Sequence, residues 1–181
     1  MRIVPIISGS ESLFAVHYDG YVLEEFRRLF ENWTDTSYLW QFFHENIEDL
    51  HRYELEEDDI EELADAIRNQ AYDLERELHN LARNKPDQLQ QLFRPLDNRE
   101  YELKIHQLSK AYGIRKQSWL RVYAIRLDAG TYIITGGAIK LTHKMEDREH
   151  TQRELNKLHQ VRDLLREQGI ADTDDLEFLE L

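Results

Sequence analysis

The sequence predicts an α+β protein, and two stretches of contrasting periodicity predict it. Between residues 21 and 83 apolar residues recur three and four apart, the spacing of one helical face. Residues 118–145, SWLRVYAIRLDAGTYIITGGAIKLTHKM, instead alternate, turn once and alternate again, as a β-hairpin does. A further helical stripe follows this hairpin, so helices and strands are largely segregated along the chain.

RIVPII and LFAVHYDG flank SGSES and read as an opening strand pair, closed by Asp19-Gly20. Leu23, Phe26, Phe30 and Trp33 then share one helical stripe. Asp35 or Thr36 can cap a second helix, with Leu39, Phe42, Phe43, Ile47 and Leu50 facing inward. The longest helix should run over residues 57–83, where Ile60, Ala64, Ile67, Ala71, Leu74, Leu78 and Leu81 make a continuous seam. That seam can pack on the preceding helices or pair two copies of the chain. A short helix near residues 87–93 and an irregular connection follow, and the boundary between two units, residues 1–86 and 87–181, is expected here.

In the hairpin, Asp128-Ala129-Gly130 forms the turn, with Gly130 expected at positive φ. Gly136 and Gly137 inside the second strand imply a bulge or bend. Thr151 and Glu154 have the spacing of a capping box, and Leu155, Leu158, Val161 and Leu165 carry the following helix to Gly169. The acidic tail after it can add an edge strand or remain loose.

Composition narrows the function classes. The chain has 181 residues, enough for a sizeable core, and no cysteine. Disulfides and thiolate metal sites are therefore excluded, and a reducing, cytoplasmic location is expected. The apolar run in MRIVPIISGSESLF is too short for a signal segment or a membrane span. The eight histidines form no metal-binding motif, and no glycine-rich phosphate loop or nucleophile elbow occurs, so neither metal nor cofactor is expected. Charge is uneven within the net −13. Residues 11–80 hold 20 acidic against 5 basic side chains, whereas residues 101–170 hold 8 against 13.

Alternation sorts the hairpin into two faces. Leu120, Val122 and Ala124 share one, with Ile139 and Leu141 joining them from the second strand. Trp119, Arg121, Tyr123 and Ile125 share the other, with Ala138, Lys140 and Thr142, and His143 and Lys144 follow directly. One face would support the core while the other receives an anion. Arg and Lys can hold a phosphodiester and stabilise charge building on its oxygens. Tyr, His or Lys can move protons, and Tyr or Trp can stack on an unpaired base.

These same residues carry a resemblance. WLRVYAIRLDAGTYIITGGAIKLTHKMEDREHTQREL resembles the core of the RelE/HigB-like toxin superfamily, including phage-derived HigB-like proteins. Leu120-Arg121 with Tyr123 matches its first strand, Lys140 and Lys144 its basic strand end, and Thr151, Glu154 and Leu155 its helix start. The likeness spans roughly residues 88–168. It departs in the acidic N-terminal half, in Gln152 where the family pattern has proline, and in the acidic tail.

The resemblance implies an acidic helical half packed with a small RelE/HigB-like sheet and a C-terminal helix. It further implies a type II toxin that cleaves RNA without metal, on the ribosome, and is neutralised by an antitoxin bearing a DNA-binding module. Arg121, Tyr123, Lys140 and Lys144 would be catalytic, and Trp119, Arg126 and His143 would contact substrate. The alternative is a silent relative that binds proteins through its helical extension.

Overall fold

The computed structural model describes residues 1–97, 99, 104–113, 118–142 and 145–176, and the fold is α+β. Its alternating stretches pair into one six-stranded sheet of order β1-β2-β6-β5-β4-β3. The strands are β1 Arg2–Pro5, β2 Leu13–His17, β3 Phe93–Pro95, β4 Gln107–Tyr112, β5 Leu120–Arg126 and β6 Tyr132–Ile139. Every neighbouring pair is antiparallel except β2 and β6, which run parallel through Leu13–Ala15 against Tyr132–Ile134. The opening strand pair is present, and β3 and β4 occupy the region read as an irregular connection.

The helices follow their apolar spacing. Helix α1, Glu25–Thr34, buries Phe26, Leu29, Phe30 and Trp33. Asp35 ends it and caps α2, Thr36–Glu45, its side chain accepting from the amides of Ser37 and Tyr38. After the short α3, Ile47–Leu50, the long helix α4 covers Ile60–Asn84. All seven seam residues of α4 are buried, against α1, α2 and the sheet. The seam is thus consumed inside the chain and leaves no stripe for pairing two copies. Helix α5, Leu89–Leu92, fills the place of the expected short helix.

The sheet has two covered faces. Leu13, Ala15, Leu120, Val122, Ala124, Ile134 and Ile139 belong to a core shared with α1, α2 and α4. Phe14, Val16, Tyr123, Ile125, Ile133 and Ala138 belong to a second core with Leu158, Val161 and Leu165 of α6, Glu149–Glu167. This corrects the expectation of one open face on the hairpin. Alternation assigned the faces of β5 properly, but α6 folds over the face assigned to solvent. The expected boundary near residue 86 also separates no two cores, because β2 and α1 pack directly on β6.

The glycine pair marks a bulge, as its sequence context implied. Register jumps between Tyr123, opposite Gly136, and Ala124, opposite Ile134, leaving Thr135 as the extra residue. Gly137 is required by close approach. A Cβ there would lie 2.6 Å from the Arg121 carbonyl and 2.9 Å from both Leu29 and Trp33. Gly137→Ala should therefore cost about 1–3 kcal/mol through overpacking and visibly lower the thermal midpoint. An unshifted melt would show that the neighbours yield freely.

Three local expectations are corrected. Gly130 does not occupy the left-handed region; a Cβ there would lie 3.3 Å from the Pro86 backbone, a tight contact. Thr151 is not an N-cap, because α6 starts at Glu149 after Arg148, and the Thr151 hydroxyl donates back to the Met145 and Arg148 carbonyls. Glu154 consequently points elsewhere, to the amide of Gly137. Gly169, at φ 70°, does close α6: the Ile170 amide reaches the Leu165 carbonyl and the Gly169 amide that of Arg166. The tail opens with the short helix α7, Thr173–Leu176.

Candidate functional site

The residues singled out on the hairpin do not form one open site. Arg121 is half-buried, and its guanidinium lies 3.9 Å from the ring centre of its cross-strand neighbour Tyr112. Nη1 donates to the Ser118 and Leu120 carbonyls at 2.6 and 2.7 Å, so these donors are committed to backbone. Burial pulls its pKa below the ordinary arginine value. Tyr123 is 1% exposed, with its hydroxyl unpartnered and its pKa pushed up by burial. A group so enclosed is poorly placed to meet an RNA strand.

Trp119 precedes β5, escapes its alternation, and packs with Phe43 and Tyr53 on the α1–α4 side. Arg126 is buried on the face of Leu120, Val122 and Ala124, opposite Arg121. Lys140, just past β6, is half-buried, and its amide donates to the Trp119 carbonyl. His143 and Lys144 lie outside the described residues.

A different cluster is brought together where β6 outruns β2. Past Ile134 the β2 side of β6 has no strand partner among the described residues, and side chains close it instead. The Tyr18 hydroxyl donates to the Thr135 carbonyl at 2.9 Å, and the Gly137 amide donates to Glu154 Oε2 at 3.0 Å. His150 Nε2 lies 3.1 Å from the Ile139 carbonyl; since a carbonyl only accepts, Nε2 carries the proton. Thr135, Gly137 and Ile139 alternate, so these are the groups a further strand would have met.

Around this edge lies a cleft of ≈ 530 Å³ between α1, α2 and α6. Glu25, fully buried, takes the Arg28 guanidinium in a fork at 2.8 and 2.7 Å. Lys157 bridges the two carboxylates, 3.2 Å from Glu25 Oε2 and 3.0 Å from Glu154 Oε1. Gly136 makes room for them: a Cβ there would fall 1.8 Å from Glu154 Oε2 and 3.3 Å from Glu25 Oε2. Arg153, on the exposed side of α6, and the exposed faces of Tyr21 and Tyr38 join the lining, as do the carboxylates of Glu45 and Glu149. At the far end Arg148 forms a fork with Asp49, which is 1% exposed.

Burial displaces two pKa values here, each in favour of the uncharged form. Burial raises that of Glu154, with Lys157 opposing and Glu25 reinforcing. Burial lowers that of His150, against its bond to Ile139. The raised carboxylate is moved toward the range in which a general base works near pH 7, whereas the lowered imidazole favours its neutral form. Among the described residues no group of acidic and histidine side chains is arranged to hold a metal.

Of this cluster only Glu154 had been singled out from sequence, and for a cap. Glu25, Arg28, His150, Arg153 and Lys157 read as ordinary helix-surface residues, and Lys157 stands 132 positions from the Glu25 it meets. The one usable signal was the glycine pair inside a strand, which marks a close approach without naming what approaches.

Comparisons with known protein families, known proteins and solved structures find no match to this chain.

Proposed function

We propose that the protein is a toxin-like, metal-independent RNA-cleaving protein whose reacting groups occupy the cleft beside the free part of β6. The observation that carries this reading is the Glu154 carboxylate, raised in pKa by burial, fixed on the Gly137 amide and flanked by Lys157 and Arg153. Each carboxylate oxygen keeps a lone pair beyond the bond it already accepts.

With RNA in the cleft, the 2′-oxygen attacks the adjacent phosphorus as Glu154 takes the hydroxyl proton. The bond to the 5′-oxygen breaks, and solvent protonates that oxygen. Arg153 and Lys157 face the non-bridging oxygens, where negative charge accumulates. Tyr21 and Tyr38 offer rings on which an unpaired base can stack. Arg121 and Tyr123 act in this reading as structural members of the sheet. The partners it calls for are a ribosome-bound or free RNA and a cognate antitoxin with a DNA-binding module.

The test is inducible expression with growth and RNA integrity as readouts, and purified protein incubated with RNA in excess chelator. Growth arrest with chelator-insensitive cleavage is expected; intact RNA and normal growth would overturn the reading. The pH profile gives a second check. Only ionised Glu154 accepts the proton, so the rate should rise with pH through a pKa above the ordinary 4.5. Lys157→Met removes a cation that holds this pKa down, and the acid limb should move to higher pH. An acid limb unmoved by Lys157→Met would assign the base elsewhere.

A second reading is favoured by the same bonds. Glu154, His150 and Tyr18 close a strand edge, which is a sufficient structural reason for a silent protein-binding relative to hold them. Intact RNA with wild type and Glu154→Gln alike, both folded, would support that reading.

A further inference from the structure

The exposed surface of α6 is unlike the rest of this acidic chain. From Gln152 to Arg162 the helix carries a single carboxylate, Glu154, and that side chain is turned inward and 7% exposed. At about 100° per residue, Arg153 and Lys157 lie on the cleft flank and His159, Arg162 and Arg166 on the opposite one. Gln152, Asn156 and Gln160, four apart, form the uncharged crest between them.

The second flank borders a groove of ≈ 230 Å³ against the start of β4, lined by Lys104, His106, His159, Arg162 and Arg166 together with Asp97. Both acidic neighbours are already engaged, Asp97 with Arg99 and the exposed Asp163 with Arg162. Such exposed pairs are weak and readily give up a donor to a phosphate. His106 is held at φ 57°, an unusual conformation for a non-glycine residue. Its amide is fixed on the Arg126 carbonyl and Nε2 on the Ile170 carbonyl at 2.6 Å. Nε2 therefore carries its proton toward that carbonyl, which fixes the ring at the groove.

We propose that this groove and the crest of α6 bind the phosphate backbone of single-stranded RNA, delivering the strand to the cleft on the other flank. The inference rests on the cleavage reading for its choice of ligand. A chain of net −13 repels RNA, and the cleft supplies little attraction of its own. Arg28, Lys157 and Arg148 are each neutralised there by Glu25, Glu154 or Asp49. The groove supplies cations, and between Gln152 and Gln160 the crest presents no carboxylate, the exposed Asp163 and Glu167 lying further along the same ridge.

The test is fluorescence anisotropy with a labelled 2′-O-methyl RNA strand, which binds but lacks the attacking hydroxyl. Arg162→Ala combined with Arg166→Ala should weaken binding several-fold at low salt and flatten the log–log salt slope by about 1.4, at about 0.7 for each lost cation. Gln160→Glu, which adds a carboxylate to the crest, should weaken it further while disturbing no packed side chain. Arg83→Ala, an exposed arginine on α4, serves as control. Affinity and slope indistinguishable from that control in both variants would overturn the groove. So would a wild-type protein that ignores the RNA strand and captures an acidic peptide instead. Since the probe cannot be cleaved, a failure of the cleavage reading leaves this result standing, and the reverse also holds.

Discussion

A fragment of residues 87–181 is expected not to fold. Removing residues 1–86 takes away β1, β2 and α1 to α4, and with them one whole cover of the sheet. Leu120, Val122, Ala124, Ile134 and Ile139, each at most 2% exposed in the full chain, would face water together. At about 1.5–3 kcal/mol for each large side chain, the lost burial is comparable to the whole stability of an ordinary domain. Strand β6 would also lose its parallel partner. Heating the fragment should give no cooperative transition, with strong binding of a hydrophobic dye, whereas the full chain melts cooperatively. A sharp melt of the fragment would restore two independent units.

That outcome bears on the acidic half. Its charge invites two explanations, a shield over the basic face or a scaffold remote from it. The buried seam of α4 and the seating of α1 on β6 favour scaffold. The acidic side chains then coat the outer faces of helices whose inner faces build the core.

Local features were legible because local chemistry dictates them. Seven apolar seam positions uninterrupted by Gly or Pro define α4, Asp35 caps α2, and Gly136-Gly137 mark the bulge. Alternation told which residues of β5 share a face, but not which face is wet, since that depends on where α6 lands. Strand β3 was invisible for a different reason. It has three residues ending in Pro95, and its identity lies wholly in pairing with β4 across a connection. The cleft was hidden most deeply. Glu25 and Glu154 meet only because β2 runs beside β6 and parts from it after Ala15, leaving an edge for both helices to converge upon. No spacing within either helix encodes that meeting.

Glu154→Gln should have the largest effect on activity of any single substitution. The amide is nearly isosteric, and its oxygen can still accept from the Gly137 amide, so the strand edge stays closed and the fold persists. What it cannot do is take a proton. Loss of a general base typically costs about 10²- to 10⁴-fold in rate. Gly136→Ala offers a parallel route, because its methyl group would occupy the place of Glu154 Oε2 and displace the carboxylate without removing it. Both variants should lose activity, whereas Arg121→Ala, whose donors serve backbone carbonyls, should lose stability before activity.

RNA cleavage in excess chelator by wild type, Glu154→Gln and Arg121→Ala, compared at equal folded concentration, decides between the cleft and the hairpin. The cleft reading predicts cleavage by wild type, a drop of about a hundredfold or more in Glu154→Gln, and a rate within a few-fold of wild type in Arg121→Ala. Full activity in Glu154→Gln, with activity lost in folded Arg121→Ala, would contradict it and return the chemistry to the hairpin.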